Sequence, residues 1–202
     1  LGQPLIIKTG VVLSSSAVLF SLPEKVNAET AQFFLEKGIK EWLEGDNYAA
    51  ISSYTKAIKL KPNFSNAYIA RCGSFVNINR SKDAIKDCNK AISLGNFDSS
   101  VYRNLCGAHA QLEEYKIAEG FCDKAIKLDD RDEIAYLNRG LSHSNLGDEY
   151  AAISDYNKAI VLNPQYVKAY YNRAWSKKEI GDIQGSIADY TKAIDLNPRY
   201  YQ

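Results

Sequence analysis

The tripeptide Lys-Ala-Ile starts at Lys56, Lys90, Lys124, Lys158 and Lys192, a constant step of 34 residues. A fixed period of that size marks a repeat array, in which one small unit cannot bury its apolar face alone and neighbouring copies bury it together. Such a chain has no single core, so its stability accumulates unit by unit. Composition fits a folded chain, with 46% hydrophobic and 24% charged residues among 202. The formal charge of +1 argues against a nucleic-acid groove or a basic membrane patch, both of which need clustered Lys and Arg to neutralise phosphates.

Residues 1–28 stand outside the repeat. Lys8 precedes an apolar run from Gly10 to Leu22, followed by Pro23 and a Val26-Asn27-Ala28 end. One basic residue, an apolar stretch shorter than the roughly 20 residues of a spanning helix, and a small-x-small end are the order of a secretory signal. The expectation is therefore an exported protein, in a periplasm, a lumen or outside the cell. Two other readings stay open: a helix packed on the first unit, or an uncleaved anchor, the one route to membrane contact. Removal after Ala28 leaves equal numbers of acidic and basic residues.

Alignment on Lys-Ala-Ile divides the rest of the domain, residues 29–202, into units 31–64, 65–98, 99–132, 133–166 and 167–200. Each reads as two helices. Position 4 is aromatic (Phe34, Tyr68, Tyr102, Tyr136, Tyr170) and position 8 is small (Gly38, Cys72, Cys106, Gly140, Ala174). A turn follows, clearest as Gly45-Asp46, Gly147-Asp148 and Gly181-Asp182, where glycine can close a helix in the left-handed conformation. The second helix places Ala or Ser at position 20, a ring at position 24 in three units (Tyr54, Tyr156, Tyr190) and Ala at position 27. Pro62, Pro164 and Pro198 end it.

These residues at this period resemble the tetratricopeptide repeat over Ala31 to Tyr200. Units two and three depart most, with Asn96 and Asp130 where the closing Pro is expected and Cys88 and Cys122 in place of the ring. The resemblance implies an all-α, right-handed superhelical solenoid whose first helices line a concave groove, and it implies binding of protein segments rather than catalysis.

Arginine recurs at position 7 in three units (Arg71, Arg139, Arg173), and in those units position 23 is Asp (Asp87, Asp155, Asp189). Unit three instead has Leu105 and Phe121, and unit one Lys37 and Ser53. The two positions change together, so the expectation is a structural ion pair within each helix pair, replaced in unit three by an apolar contact.

Position 6 is Asn in three successive units: Asn104, Asn138 and Asn172. A carboxamide both donates and accepts, so it can pair with a peptide backbone without reading side chains. Packed helices sit about 8–10 Å apart and an extended chain advances about 3.3 Å per residue, so one Asn can serve roughly every third residue. The competing reading leaves these residues in water as a habit of the subtype. Family groove positions also supply Arg103, Gln111, Leu137, Leu141, Asn145, Lys168, Tyr171, Trp175 and Lys178. Tyr171 and Trp175 can form an aromatic anchor or pack on a neighbour. Some family members grip the C-terminal carboxylates of chaperones through a dicarboxylate clamp, and Arg103, Asn138 and Lys168 fall at clamp positions. Gly107 and Asn172 do not fit it.

His109 and His143 lie a full unit apart, with no second ligand at i+4, so no metal site is expected. Without a phosphate loop, nucleophile elbow or metalloprotease helix, neither an enzyme nor a cofactor is expected. The four cysteines read as small buried side chains, with a bridge from Cys88 to Cys106 as the alternative in an oxidising compartment. Two functions emerge: a scaffold holding an extended partner segment, or a protein that self-associates through its last unit.

Overall fold

The computed structural model describes residues 30–199, and the leader-like segment, residues 1–28, lies outside them. Among the described residues ten helices form five antiparallel pairs and there is no strand. The pairs are α1 (Ala31–Leu43) with α2 (Asn47–Leu60), α3 (Ser65–Asn77) with α4 (Ser81–Ser93), and α5 (Ser99–Gln111) with α6 (Tyr115–Leu128). They continue with α7 (Glu133–Asn145) and α8 (Glu149–Leu162), then α9 (Val167–Glu179) and α10 (Ile183–Leu196). Each second helix packs on its own first helix and on the next unit's first helix. Successive first helices also touch, while second helices make no comparable contact with one another. The row of first helices is thus the shorter one, which puts it on the inside of the curve.

Alanine sets how closely the helices approach. Ala50, Ala84, Ala118 and Ala152 at position 20, and Ala57, Ala91, Ala125, Ala159 and Ala193 at position 27, are all fully buried. A larger side chain at any of these would push two helices apart in a close-packed interior.

The turn inside each pair demands a left-handed residue at position 15. Gly45, Gly147 and Gly181 take φ of 87°, 86° and 84°, and the same site in units two and three is Asn79 at 58° and Glu113 at 62°. Asp46, Asp148 and Asp182 then accept from the backbone N–H three residues on, capping the second helix. Asn tolerates the left-handed region, but Glu does not adopt it readily. Exposed Glu113 is therefore a strained position, and Glu113→Gly is expected to raise stability by about 0.5–1 kcal/mol, read as a higher urea midpoint.

Position 8 faces position 24 across each pair. In units one and four this seats a ring on a glycine: a Cβ on Gly38 or Gly140 would overlap the ring of Tyr54 or Tyr156. In units two and three the same sites carry disulfides, Cys72–Cys88 and Cys106–Cys122, with Cα separations of 5.7 and 5.2 Å. This corrects both the reading of four unlinked thiols and its alternative, a Cys88–Cys106 bridge. That alternative joins the second helix of one unit to the first helix of the next, whereas the antiparallel pairing brings the small and ring positions of one unit face to face.

Candidate functional site

The covarying pairs take up positions inside the units. Arg71 donates from Nε to Asp87 Oδ2 at 2.6 Å and from Nη2 to Oδ1 at 2.9 Å. Arg139 holds Asp155 in the same fork at 2.9 and 2.7 Å, and Arg173 holds Asp189 at 2.8 and 2.6 Å. All three carboxylates are buried. In unit three Phe121 packs on a core that contains buried Leu105. In unit one Ser53 donates instead to Glu41 at 2.6 Å.

The third guanidinium nitrogen does something the pattern did not reveal. Nη1 reaches back to position 25 of the preceding unit: Thr55 at 2.9 Å, Asp123 at 2.7 Å and Asn157 at 2.6 Å. Each arginine therefore ties two units together. Hydrogen bonds donated to Asp155 outweigh burial and hold the Arg139 guanidinium above its ordinary range, with Asp123 adding to the effect. Burial pushes the Asp189 carboxyl up, yet hydrogen bonds from Arg173 and Lys177 outweigh it and leave the group below its usual value. The rings of Tyr68, Tyr136 and Tyr170 at position 4 lie beneath Arg71, Arg139 and Arg173 at 5.7, 5.5 and 5.4 Å. These arginines face inward and are committed, leaving the groove to other residues.

Along the inner row, three adjoining cavities make one groove. The first, between α1, α3, α5 and α7, has apolar walls from Ile39, Trp42, Ile69, Val76 and Ile134, and Asn104 and Asn138 also line it. The second shares Val76, Ile134 and Asn138 with it and runs on to Lys168 and Asn172. The third shares Leu141, Asn145 and Asn172 and ends at Tyr171 and Trp175. Asn104, Asn138 and Asn172 thus stand in series along one continuous channel.

Glycines make room for two of them. A Cβ on Gly73 would come within 3.2 Å of Asn104 Nδ2, and one on Gly107 within 3.4 Å of Asn138 Nδ2. These glycines occupy position 9 of the preceding unit, a signal the sequence carried as Gly107 but which read there only as a missing clamp residue. Asn104 Nδ2 reaches the Ile69 carbonyl at 3.5 Å, a long contact. Among the described residues the Asn138 and Asn172 carboxamides engage no group of the chain.

Other candidates are already occupied. Gln111 donates to the Val76 carbonyl at 2.9 Å and accepts from Ser81 at 2.7 Å, and Asn145 donates to the Leu141 carbonyl at 2.8 Å. Arg103 donates to buried Asp132 at 3.2 Å. An incoming carboxylate would have to displace Asp132 from Arg103, which weighs against the clamp. Lys168 lines the second cavity without an ion-pair partner among the described residues. Trp175 is 46% exposed, with Lys178 Nζ over its ring at 5.1 Å, and Tyr171 packs edge-on to Tyr190 at 5.2 Å. His109 stacks on Phe121 and His143 lies 3.7 Å from Asp155, each within its own helix pair. No group of three or more possible metal ligands occurs among the described residues.

Two models described as tetratricopeptide repeat match the sequence, one over residues 134–166 and one over residues 42–64 and 167–200. The chain is a tetratricopeptide repeat protein. The matched stretches of this TPR array fall in units one, four and five, where position 24 keeps its ring. MamA is similar in structure, with a TM-score of 0.64, 25% identity, and coverage of 80% of this chain and 94% of MamA. YrrB, described as a TPR protein with an unusual peptide-binding site, superposes with a TM-score of 0.62 at 22% identity, covering 87% of this chain and 91% of YrrB. A thermophilic TPR protein of Thermus thermophilus, TTC0263, gives 0.72 at 19% identity, covering 84% of this chain and 93% of that one, and shares the fold alone. No curated protein matches the TPR array in sequence.

Proposed function

We propose that this TPR array is a non-enzymatic scaffold that holds an extended segment of a partner protein in the groove of its first helices. The observation that carries the reading is the series Asn104, Asn138 and Asn172 along one channel, with the last two carboxamides uncommitted among the described residues. Amides that can both donate and accept suit a backbone that needs both partners when it leaves water. A TPR neighbour described as having a peptide-binding site supports the same use of the fold.

We place this work outside the reducing cytoplasm, as a factor in assembling a larger complex. Two buried disulfides support that location, since such bonds form and persist in oxidising compartments. The signal-like order of residues 1–28 points the same way.

The test is affinity capture from the native host followed by mass spectrometry, run with the wild type and with Asn104→Ala/Asn138→Ala/Asn172→Ala. Partners held by wild type are expected to fall by at least about tenfold in the variant, since losing a net hydrogen bond or two costs roughly 1–2 kcal/mol. Helicity by circular dichroism should not change. Equal capture by both proteins would remove the groove from the function and favour self-association or another surface.

A further inference from the structure

The third cavity of the groove differs from the other two in charge. It lies between α7, α8 and α9, has a volume of about 350 Å³, and is lined by two carboxylates, Glu149 and Glu179, with no Lys or Arg. Tyr171, Trp175 and Glu179 follow one another at a spacing of four residues on α9, which sets them in one row on a helix face. Tyr156 and Asn172 stand in the same wall.

We propose that this cavity receives a positively charged side chain, Lys or Arg, from the segment held in the groove. The inference rests on the groove reading above and adds the chemistry of one partner residue. Three observations support it. Glu149 accepts from the Ser144 hydroxyl at 3.0 Å through Oε1, but its Oε2 is buried without a hydrogen-bond partner. A buried carboxylate oxygen with no donor is costly, and a cationic donor is the group that repairs it best. Glu179 lines the cavity, is exposed and forms no ion pair among the described residues. The two lysines that precede Glu179 on α9 are committed, Lys177 to Asp189 at 2.8 Å and Lys178 to the face of Trp175 at 5.1 Å.

The rings complete the selectivity. Trp and Tyr faces attract cations, and an arriving cation would share the Trp175 ring with Lys178 or displace it. An acidic side chain would meet two like charges, and an apolar one would seal two carboxylates from water without pairing them. No third His, Cys, Asp or Glu joins Glu149 and Glu179 into a group that could hold a metal ion among the described residues. Burial, and then the Glu149 and Asp155 charges, raise the Tyr156 hydroxyl far above its ordinary range, so it stays neutral beside the guest.

The test uses the full chain and three small probes: the Nα-acetyl amides of arginine, lysine and citrulline, the last being the neutral isostere of arginine. The readout is the indole N–H resonance of Trp175, one of two tryptophans, assigned with Trp42→Phe as reference. Arginine and lysine derivatives should shift the Trp175 signal saturably and leave Trp42 in place, with citrulline at least about tenfold weaker. Glu149→Gln/Glu179→Gln should weaken arginine binding by a similar factor. If that double variant fails to fold, Glu179→Gln alone, at an exposed site, should still weaken it in part. Equal response to citrulline, a non-saturating shift, or affinity unchanged in both variants would overturn the proposal. A single-residue probe needs neither Asn104 nor Asn138, so a negative result leaves the groove reading standing. Loss of that reading would come from the triple Asn variant.

Discussion

Arg71→Leu is expected to destabilise the array by about 3–5 kcal/mol, because it strands one buried charge. Among the described residues Asp87 is buried with only Arg71 opposite it, whereas Asp155 also has His143 nearby and Asp189 also has Lys177. Removing the arginine leaves that carboxylate without compensation and cuts the tether to Thr55 of the preceding unit. Arg71→Leu/Asp87→Phe is expected to recover most of the loss, to within about 1.5 kcal/mol of wild type, since apolar groups can replace a buried pair without penalty. Unit three already uses that solution in Leu105 and Phe121. Urea unfolding of the three proteins checks both statements. A single variant as stable as the double would show that the bridge does not hold the units.

The pH dependence follows from the same chemistry. In the wild type the Asp189 carboxyl is held below its usual value, although burial alone would raise it. A depressed folded value means the unfolded chain takes up its proton first. The stabilisation is complete above about pH 4 and is lost as pH falls through the lowered folded value.

Cys72→Ala/Cys88→Ala is the second large effect, expected to cost about 3 kcal/mol, with a similar loss for Cys106→Ala/Cys122→Ala. Each bridge spans a separation of 16 residues, and closing a loop of that length removes about that much freedom from the unfolded chain. The bridges lie at the fully buried interface of their helix pairs, so reductant should act slowly on the folded protein and quickly in urea. The described chain has no free thiol, so thiol titration before reduction should read zero. Cys72→Gly/Cys88→Tyr, which copies Gly38 and Tyr54, should restore part of the loss by seating a ring where the bridge was. An unchanged urea midpoint in the presence of reductant would show that the cysteines pack as thiols.

Much of this was legible in the residues because a repeat is read five times over. The Lys-Ala-Ile step defined units, helix pairs and turns, and comparing units exposed the exchange of Arg and Asp for Leu and Phe. Only contacts that repeat in step with the period could be found that way. The disulfides are not legible from the cysteines alone, because only the fold across the turn sets position 8 against position 24, although Gly with Tyr and Cys with Cys exchange as pairs. The tether from each arginine to the preceding unit escaped because position 25 varies among Thr55, Asp123 and Asn157, all of which accept a hydrogen bond but share no charge.

The sequence by itself determined the unit, its two helices, its left-handed turn and the choice of ion pair or apolar contact inside each pair, because these depend on residues less than one period apart. The tertiary structure alone decided which side chains remain available. Among the described residues Asn138 and Asn172 are uncommitted while Gln111 and Arg103 are engaged, and Glu149 and Glu179 meet the Trp175 ring in one cavity. Those outcomes depend on how far one unit is rotated against the next, which is set by the packing of whole helices and leaves no mark at any single position.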